Sequence, residues 1–386
     1  MLDDAGRSLW ADTLPDGERV VPTESSGDPV DVAVVGGGFT GLWTAWYLLQ
    51  QDPSLKVMVF EREHVGFGAS GRNGGWCSAL LPMSLSTIAG RHGDAAAIRM
   101  QRAMHDTVRE IGRFVADHGE PSMFAYGGTV DVARSAPQTE RLHHEIDEYR
   151  RFGFGPDDYR WLGQEEALAT CNATSVTGAM QTPHCAAIHP LRLVHAIARA
   201  VVGAGGTIRE GVAVRSIEAG RLNTSEGEIH ADVIVRATEG YTVELAGERR
   251  SVLPIYSLMI ATEPLPDDVW AEIGLDGRPT FADGRHMIIY GQRTHDGRFA
   301  FGGRGAPYHF GSRIDRRFDT DERIRELLTH SLRALFPVIG DAAVTHHWGG
   351  VLAAHRDWAC SVRFDRRTGL ATAGGYVGDG VATTNL

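Results

Sequence analysis

The chain has 386 residues, 42% of them hydrophobic and 23% charged, and this exceeds the roughly 250 residues at which a single core stops growing, so two domains are expected. A formal net charge of -11 argues against a nucleic-acid partner, which calls for a concentrated basic face, and no apolar run approaches the ~20 residues of a membrane helix. Residues 1–22 lack a basic start followed by an apolar core, and Cys77, Cys171, Cys185 and Cys360 are too sparse for a disulfide framework, so a cytoplasmic protein that handles small molecules is expected.

Residues 11–29 are polar, contain Pro and Gly, and read as a surface arm, the end of an N-terminal segment 1–29. The runs VDVAVV at 30–35 and LKVMVF at 55–60 read as buried strands on either side of a helix at 39–50. That is a βαβ unit with a parallel sheet and a right-handed crossover. A glycine-rich loop at 66–75, a helix over about 94–118, a strand near 124–132 and a polar helix near 137–151 follow. Residues 190–204 read as a helix with proline in its first turn, and runs at 212–217 and 230–237 return to the βαβ style. Between 254 and 345 strands such as HMIIY and RFAFGG alternate around one helix at about 320–336, a pattern of an antiparallel sheet with helices on one face. The fold class is therefore α/β. A discontinuous Rossmann-like domain of 30–120, 190–250 and 346–386 carries an inserted α+β substrate domain of 121–189 and 251–345, built on an antiparallel sheet.

Gly36, Gly38 and Gly41 give the spacing GxGxxG between the first strand and the helix, with Phe39 and Thr40 between the last two glycines and small Ala45 one turn on. Glycines here let the backbone approach a diphosphate at a helix N-terminus, where free amides favour anions. Glu61, followed by Arg62, ends the second strand at the distance where an acid accepts ribose hydroxyls, which argues against a 2′-phosphate. An adenosine diphosphate moiety is implied, and this motif alone leaves an NAD-dependent dehydrogenase open. His346 and His347 are adjacent on a strand and point to opposite faces, so no metal site is expected.

The loop VGFGASGRNGGW at 65–76 adds five glycines with Ser70, Arg72 and Asn73. Here the sequence resembles the D-amino-acid oxidase and glycine oxidase superfamily of FAD enzymes, in particular the amine-oxidising branch related to gamma-glutamylputrescine oxidoreductase, over nearly the whole chain. The resemblance implies that Ser70, Gly71, Arg72, Asn73, Gly74 and Gly75 lie along the diphosphate and the flavin ring. It implies that Val214 meets the adenine, and that Ala237, Thr238 and Gly240 border the cofactor, with Arg236 where an aliphatic residue is usual. It further implies that Trp348 lies close to the ring, and that Gly375, Gly378, Asp379, Gly380 and Val381 form a closing loop whose amides favour negative charge on the flavin. Relatives that tether FAD use a histidine where Arg72 stands or a cysteine where Gly350 aligns, so non-covalent FAD is expected, with Cys360 ten residues further on as a buried thiol. For the reacting side Tyr290, Arg293 and Arg304 are implied, with the strand's solvent face as the competing place for Tyr290 and Arg293. Some relatives place a lysine on the strand that here reads Arg298 to Phe301, whereas the sole lysine is Lys56, so oxygen as electron acceptor stays open. Relatives also continue past the closing loop into a covering helix, where this chain reaches Leu386, and a shortened chain is expected. The implied activity is oxidation of a primary or secondary amine, an amino acid or gamma-glutamyl-polyamine-like compound, to an imine by hydride transfer to flavin N5. The alternative is a non-catalytic flavin-binding protein.

Overall fold

The computed structural model describes residues 7–23, 30–303 and 305–386. Val30–Val35 buries almost every side chain because both of its faces are covered, and it pairs in parallel with Val57–Phe60 on one side and the second half of Gly227–Arg236 on the other. Phe39–Gln51 crosses between the first two strands and buries Leu42, Ala45 and Leu49. Asp94–His118 and Pro190–Gly203 complete this core with Met104, Val108, Ile111, Leu193 and Ile197, none of them exposed. The strand expected at 212–217 is Val214–Glu218, and it departs from the βαβ style. It folds back antiparallel on Arg221–Thr224, which pairs with the first half of Gly227–Arg236; links this short permit only a meander, because a parallel return needs a crossover.

The second sheet has eight strands. In spatial order they are Val344–Ala354, Leu253–Thr262, Phe299–Gly303, Ile289–Arg293, Thr280–Asp283, Thr129–Ala133, Gly178–Thr182 and Arg160–Leu162. All neighbours are antiparallel except Thr280–Asp283 and Thr129–Ala133, which run parallel. Val344–Ala354 crosses the boundary expected at 345/346 and pairs with Leu253–Thr262 along its length. The single strand expected near 124–132 is two: Phe124–Ala125 joins a small sheet with Trp76–Ser78 and Cys185–Ile188. Gly127 and Gly128 separate them, Gly128 at φ +75° and Gly127 so close that a Cβ would lie 2.5 Å from the Pro279 nitrogen. Helices at Leu85–His92, Gln164–Thr170 and Asp267–Ile273 were not foreseen.

Strand alternation divides this sheet cleanly. Val130, Val132, Phe281, Ile289, Phe299 and Phe301 face one way, into an apolar layer with Trp270, Leu328, Leu332 and Phe336 from the covering helices. The opposite face carries a row of residues in register: Trp348, Met259, Gly302, Tyr290, Ala282, Asp131 and Met180. This face looks toward the Rossmann-like unit, and the space between them is the site.

The N-terminal segment is not a surface arm where it is described. Leu9, Trp10 and Leu14 are buried beside Leu191, Met259 and Trp348, the Trp10 indole donates to the Asn73 carbonyl at 2.8 Å, and Arg192 pairs with Glu18. An indole that covers apolar area and satisfies a loop carbonyl outweighs the polar composition around it. Residues 24–29 lie outside the described residues. Among the described residues no helix is long and apolar enough to cross a membrane.

Candidate functional site

A cavity of about 1010 Å³ runs from the glycine turn to the sheet face, at the upper end of the roughly 300–1,000 Å³ typical of small-molecule sites. At one end the chain leaves Val30–Val35 through Gly36, at φ +114°, where a Cβ would lie 2.5 Å from the Ala237 carbonyl oxygen. At Gly41 a Cβ would lie 2.0 Å from the Gly36 oxygen, so helix and loop pack at backbone contact. Gly38 caps Phe39–Gln51 without a side chain. The Ser70 hydroxyl instead accepts from the Phe39 amide at 2.9 Å, which marks where an anionic group would meet the helix amides. The Glu61 carboxylate accepts from the Gly37 and Glu63 amides at 2.8 and 3.0 Å. Burial raises its pKa against these donors.

The loop after Glu61 is tied down from outside the cavity. Arg72 donates to the Phe67 and Gly349 carbonyls at 2.9 and 3.1 Å and pairs with Asp319. Trp348 donates to the Arg72 carbonyl at 2.9 Å. Gly75, at φ +71°, leaves no room for a Cβ beside the Gln292 amide, which donates to the Gly74, Gly75 and Ile188 carbonyls. Gln292 and Asp319 were not singled out in the sequence. Their partners in the 65–76 loop are more than two hundred residues away, and only the tertiary fold brings them in.

At the sheet end, the Tyr290 hydroxyl lies 2.8 Å from the Ser257 hydroxyl and its ring lies against Gly302 and Gly74, where a Cβ would come within 2.5 and 2.6 Å. Trp76 meets it edge-on at 6.2 Å, and the buried Trp76 indole N–H has no partner among the described residues. An unsatisfied donor on a cavity wall fits a ligand with acceptor atoms. Oriented amides, an acid at the ribose position, a wall of glycines and this orphan donor together fit an elongated dinucleotide such as FAD.

Of the residues singled out in the sequence, Gly36, Gly38, Phe39, Thr40, Glu61, Arg62, Ser70, Arg72, Asn73, Gly74, Val214, Ala237, Thr238, Tyr290, Gly378, Asp379, Gly380 and Val381 line this cavity. Gly41, Gly71, Gly75, Gly240 and Trp348 stand behind the wall. Gly375 borders a separate cleft of about 490 Å³ beside Arg236, and Arg236 pairs with Glu248 there at 2.6 Å. Arg293 lies on the far face from Tyr290, its guanidinium over the Trp270 ring at 4.8 Å; three positions along a strand reverse the face, which corrects its expected place at the reacting side. Arg304 lies outside the described residues. Lys56 does not line the cavity.

Elsewhere His105, Asp158 and His184 converge. The imidazoles stack at 3.5 Å, His184 bonds Asp158 at 2.8 Å, and His105 bonds Tyr159 and Gln101. Burial holds His105 neutral, with its pKa down to about 3. His346 meets Asp12, whereas His347 meets backbone.

A model of the family described as FAD dependent oxidoreductase matches residues 31–386. The Probable oxidoreductase OrdL of Rhizobium meliloti is 29% identical over 98% of this chain and 86% of its own length. Gamma-glutamylputrescine oxidoreductase of Escherichia coli is 28% identical over 92% of this chain and 81% of its own. Among solved structures, glycine oxidase from Geobacillus kaustophilus superposes with a TM-score of 0.77 at 21% identity, covering 92% of this chain and 91% of that one.

Proposed function

Since the chain belongs to the family of FAD-dependent oxidoreductases, we propose that it oxidises a primary or secondary amine to an imine, which water then hydrolyses. The family excludes the NAD-dependent alternative. The observation that carries the proposal is the continuity of one cavity from the glycine turn and Glu61 to Tyr290 and Trp76, which lets one bound dinucleotide reach the sheet face. Two relatives named above act, by their names, on compounds that carry an amino nitrogen.

When bound, FAD supplies a two-electron acceptor at N5. The amides at the start of Phe39–Gln51 and the Ser70 hydroxyl would hold its diphosphate, and Glu61 would hold the ribose. Gln292 and Arg72 fix the loop that would hold the flavin ring. Tyr290, held by Ser257, would orient the amine and exclude water from that side of the cavity. Because Arg293 faces Trp270, it does not grip a substrate carboxylate. We also propose that FAD is non-covalent: Gly350 faces the Arg72 side chain, and Cys360 does not line the cavity. A reducing, cytoplasmic setting suits the four free thiols.

Anaerobic mixing of the holoprotein with a panel of amines tests the reading. At least one amine should bleach the flavin absorbance, and admitting air then tells whether oxygen is the acceptor. If dithionite bleaches the protein and no amine does, the protein binds flavin without this chemistry.

A further inference from the structure

Beyond Tyr290 the cavity continues along the sheet. Tyr290, Ala282 and Asp131 are directly paired across three adjacent strands, so they share one face, and Asp131 stands two strand spacings, roughly 10 Å, from Tyr290. Between them is only the methyl group of Ala282, which leaves the floor low. The helix Ala136–Arg151 covers this end and turns Glu145 into it, beside buried Leu142 and Ile146.

Three carboxylates line this end of the cavity and they are not equivalent. Asp283 accepts from Arg285 at 2.7 and 2.8 Å and has Arg134 at 3.7 Å. Arg141, one turn before Glu145, spends its guanidinium on the Gly284 carbonyl. Asp131 and Glu145 accept no hydrogen bond and pair with no cation among the described residues, although both are half-buried and line the cavity. Acids buried without partners are costly. Burial first, then repulsion from Glu145 and Asp283, pushes Asp131 up to about 8, whereas burial first, then repulsion from Glu148, pushes Glu145 up to about 7. A cation at this end of the cavity would favour the ionised form of each.

We propose that Asp131 and Glu145 form a cation subsite at the far end of the cavity, so that the amine substrate carries a second, distal ammonium: a diamine or a longer polyamine. The identity of the oxidised group rests on the amine reading above, whereas the subsite does not. A monoamine of equal length would fill the same channel and leave both acids unpaired.

The test is calorimetric titration of the anaerobic holoprotein with α,ω-diamines from diaminoethane to diaminooctane, each against the n-alkylamine of equal length. At the best length the diamine should bind about 10- to 100-fold tighter, the range of a charge-assisted hydrogen bond. That ratio should fall toward one in Asp131→Asn and in Glu145→Gln, two variants on different elements whose flavin content reports their folding. A ratio near one at every length in the unaltered protein, or a ratio kept in both variants, overturns the subsite. Flavin bleaching is read in the same samples. Diamine preference without bleaching would uphold the subsite and sink the oxidation reading, and bleaching without preference would do the reverse.

Discussion

In the strand Thr129–Ala133 a carboxylate alternates with valines: Val130 and Val132 enter the apolar layer, and Asp131 goes to the cavity. Its pKa, raised to about 8 by burial and by Glu145 and Asp283, compares with about 3.9 in an unfolded chain. Between those values the folded protein keeps a proton that the unfolded chain has released. The associated stability is complete below about pH 4 and is lost as pH rises to about 8. Asn, which has the same shape and no ionisation, should escape this loss. The melting temperature of Asp131→Asn should gain a few degrees on that of the unaltered protein between pH 5 and pH 8, a change of about 2–4 kcal/mol after allowing for cavity water. A difference that stays flat across this range, in thermal melts of substrate-free holoprotein, would show that the acid is not destabilised by its surroundings.

The loop at 65–76 owes its shape to elements far away in sequence. Arg72 joins it to Asp319, at the end of the turn Arg316–Phe318, and to Gly349 in Val344–Ala354. Removing the guanidinium leaves Asp319, whose side chain is 12% exposed, as an almost buried charge without its partner. Arg72→Ala should therefore cost about 3 kcal/mol or more, while Arg72→Ala with Asp319→Asn should cost less than the sum of the two single changes. Denaturant unfolding of the four proteins measures this coupling, and strict additivity would mean the pair does not hold the loop. The same loop shows how much could be read beforehand. The parallel unit around Gly36, Gly38, Gly41 and Glu61 was legible because its strand and helix periods and its glycines are local. The antiparallel strands were legible as strands but not as faces, since one residue of slip reverses every side chain, and Arg293 fell on the wrong side for that reason. Gln292 and Asp319 gave no local sign, because their work is to satisfy carbonyls and a guanidinium more than two hundred residues away. Asp131 did carry one, a lone acid between valines in a buried strand, which becomes meaningful only with Ala282 and Tyr290 beside it.

At the scale of the whole molecule, the cavity wall comes from stretches that the unfolded chain keeps far apart, Gly36 to Trp76, Val214 to Tyr241, Tyr290, and Tyr376 to Val381. A ligand that needs all of them binds only the folded state, so its affinity adds to stability by mass action, about 2.7 kcal/mol at a hundredfold excess over Kd. The wall is also divided: the glycine turn and Glu61 belong to the parallel sheet, whereas Tyr290 belongs to the antiparallel one. ADP can satisfy the first part alone, and FAD spans both. Stripping the flavin should lower the melting temperature, and saturating ADP should recover only part of the loss. In hydrogen exchange, ADP should slow amides at 36–41 and 61–63, while FAD should also slow those at 72–76 and 376–381. If ADP protects the distal segments as fully as FAD does, the two sheets are already locked together without the flavin ring, and the division of the wall has no energetic meaning.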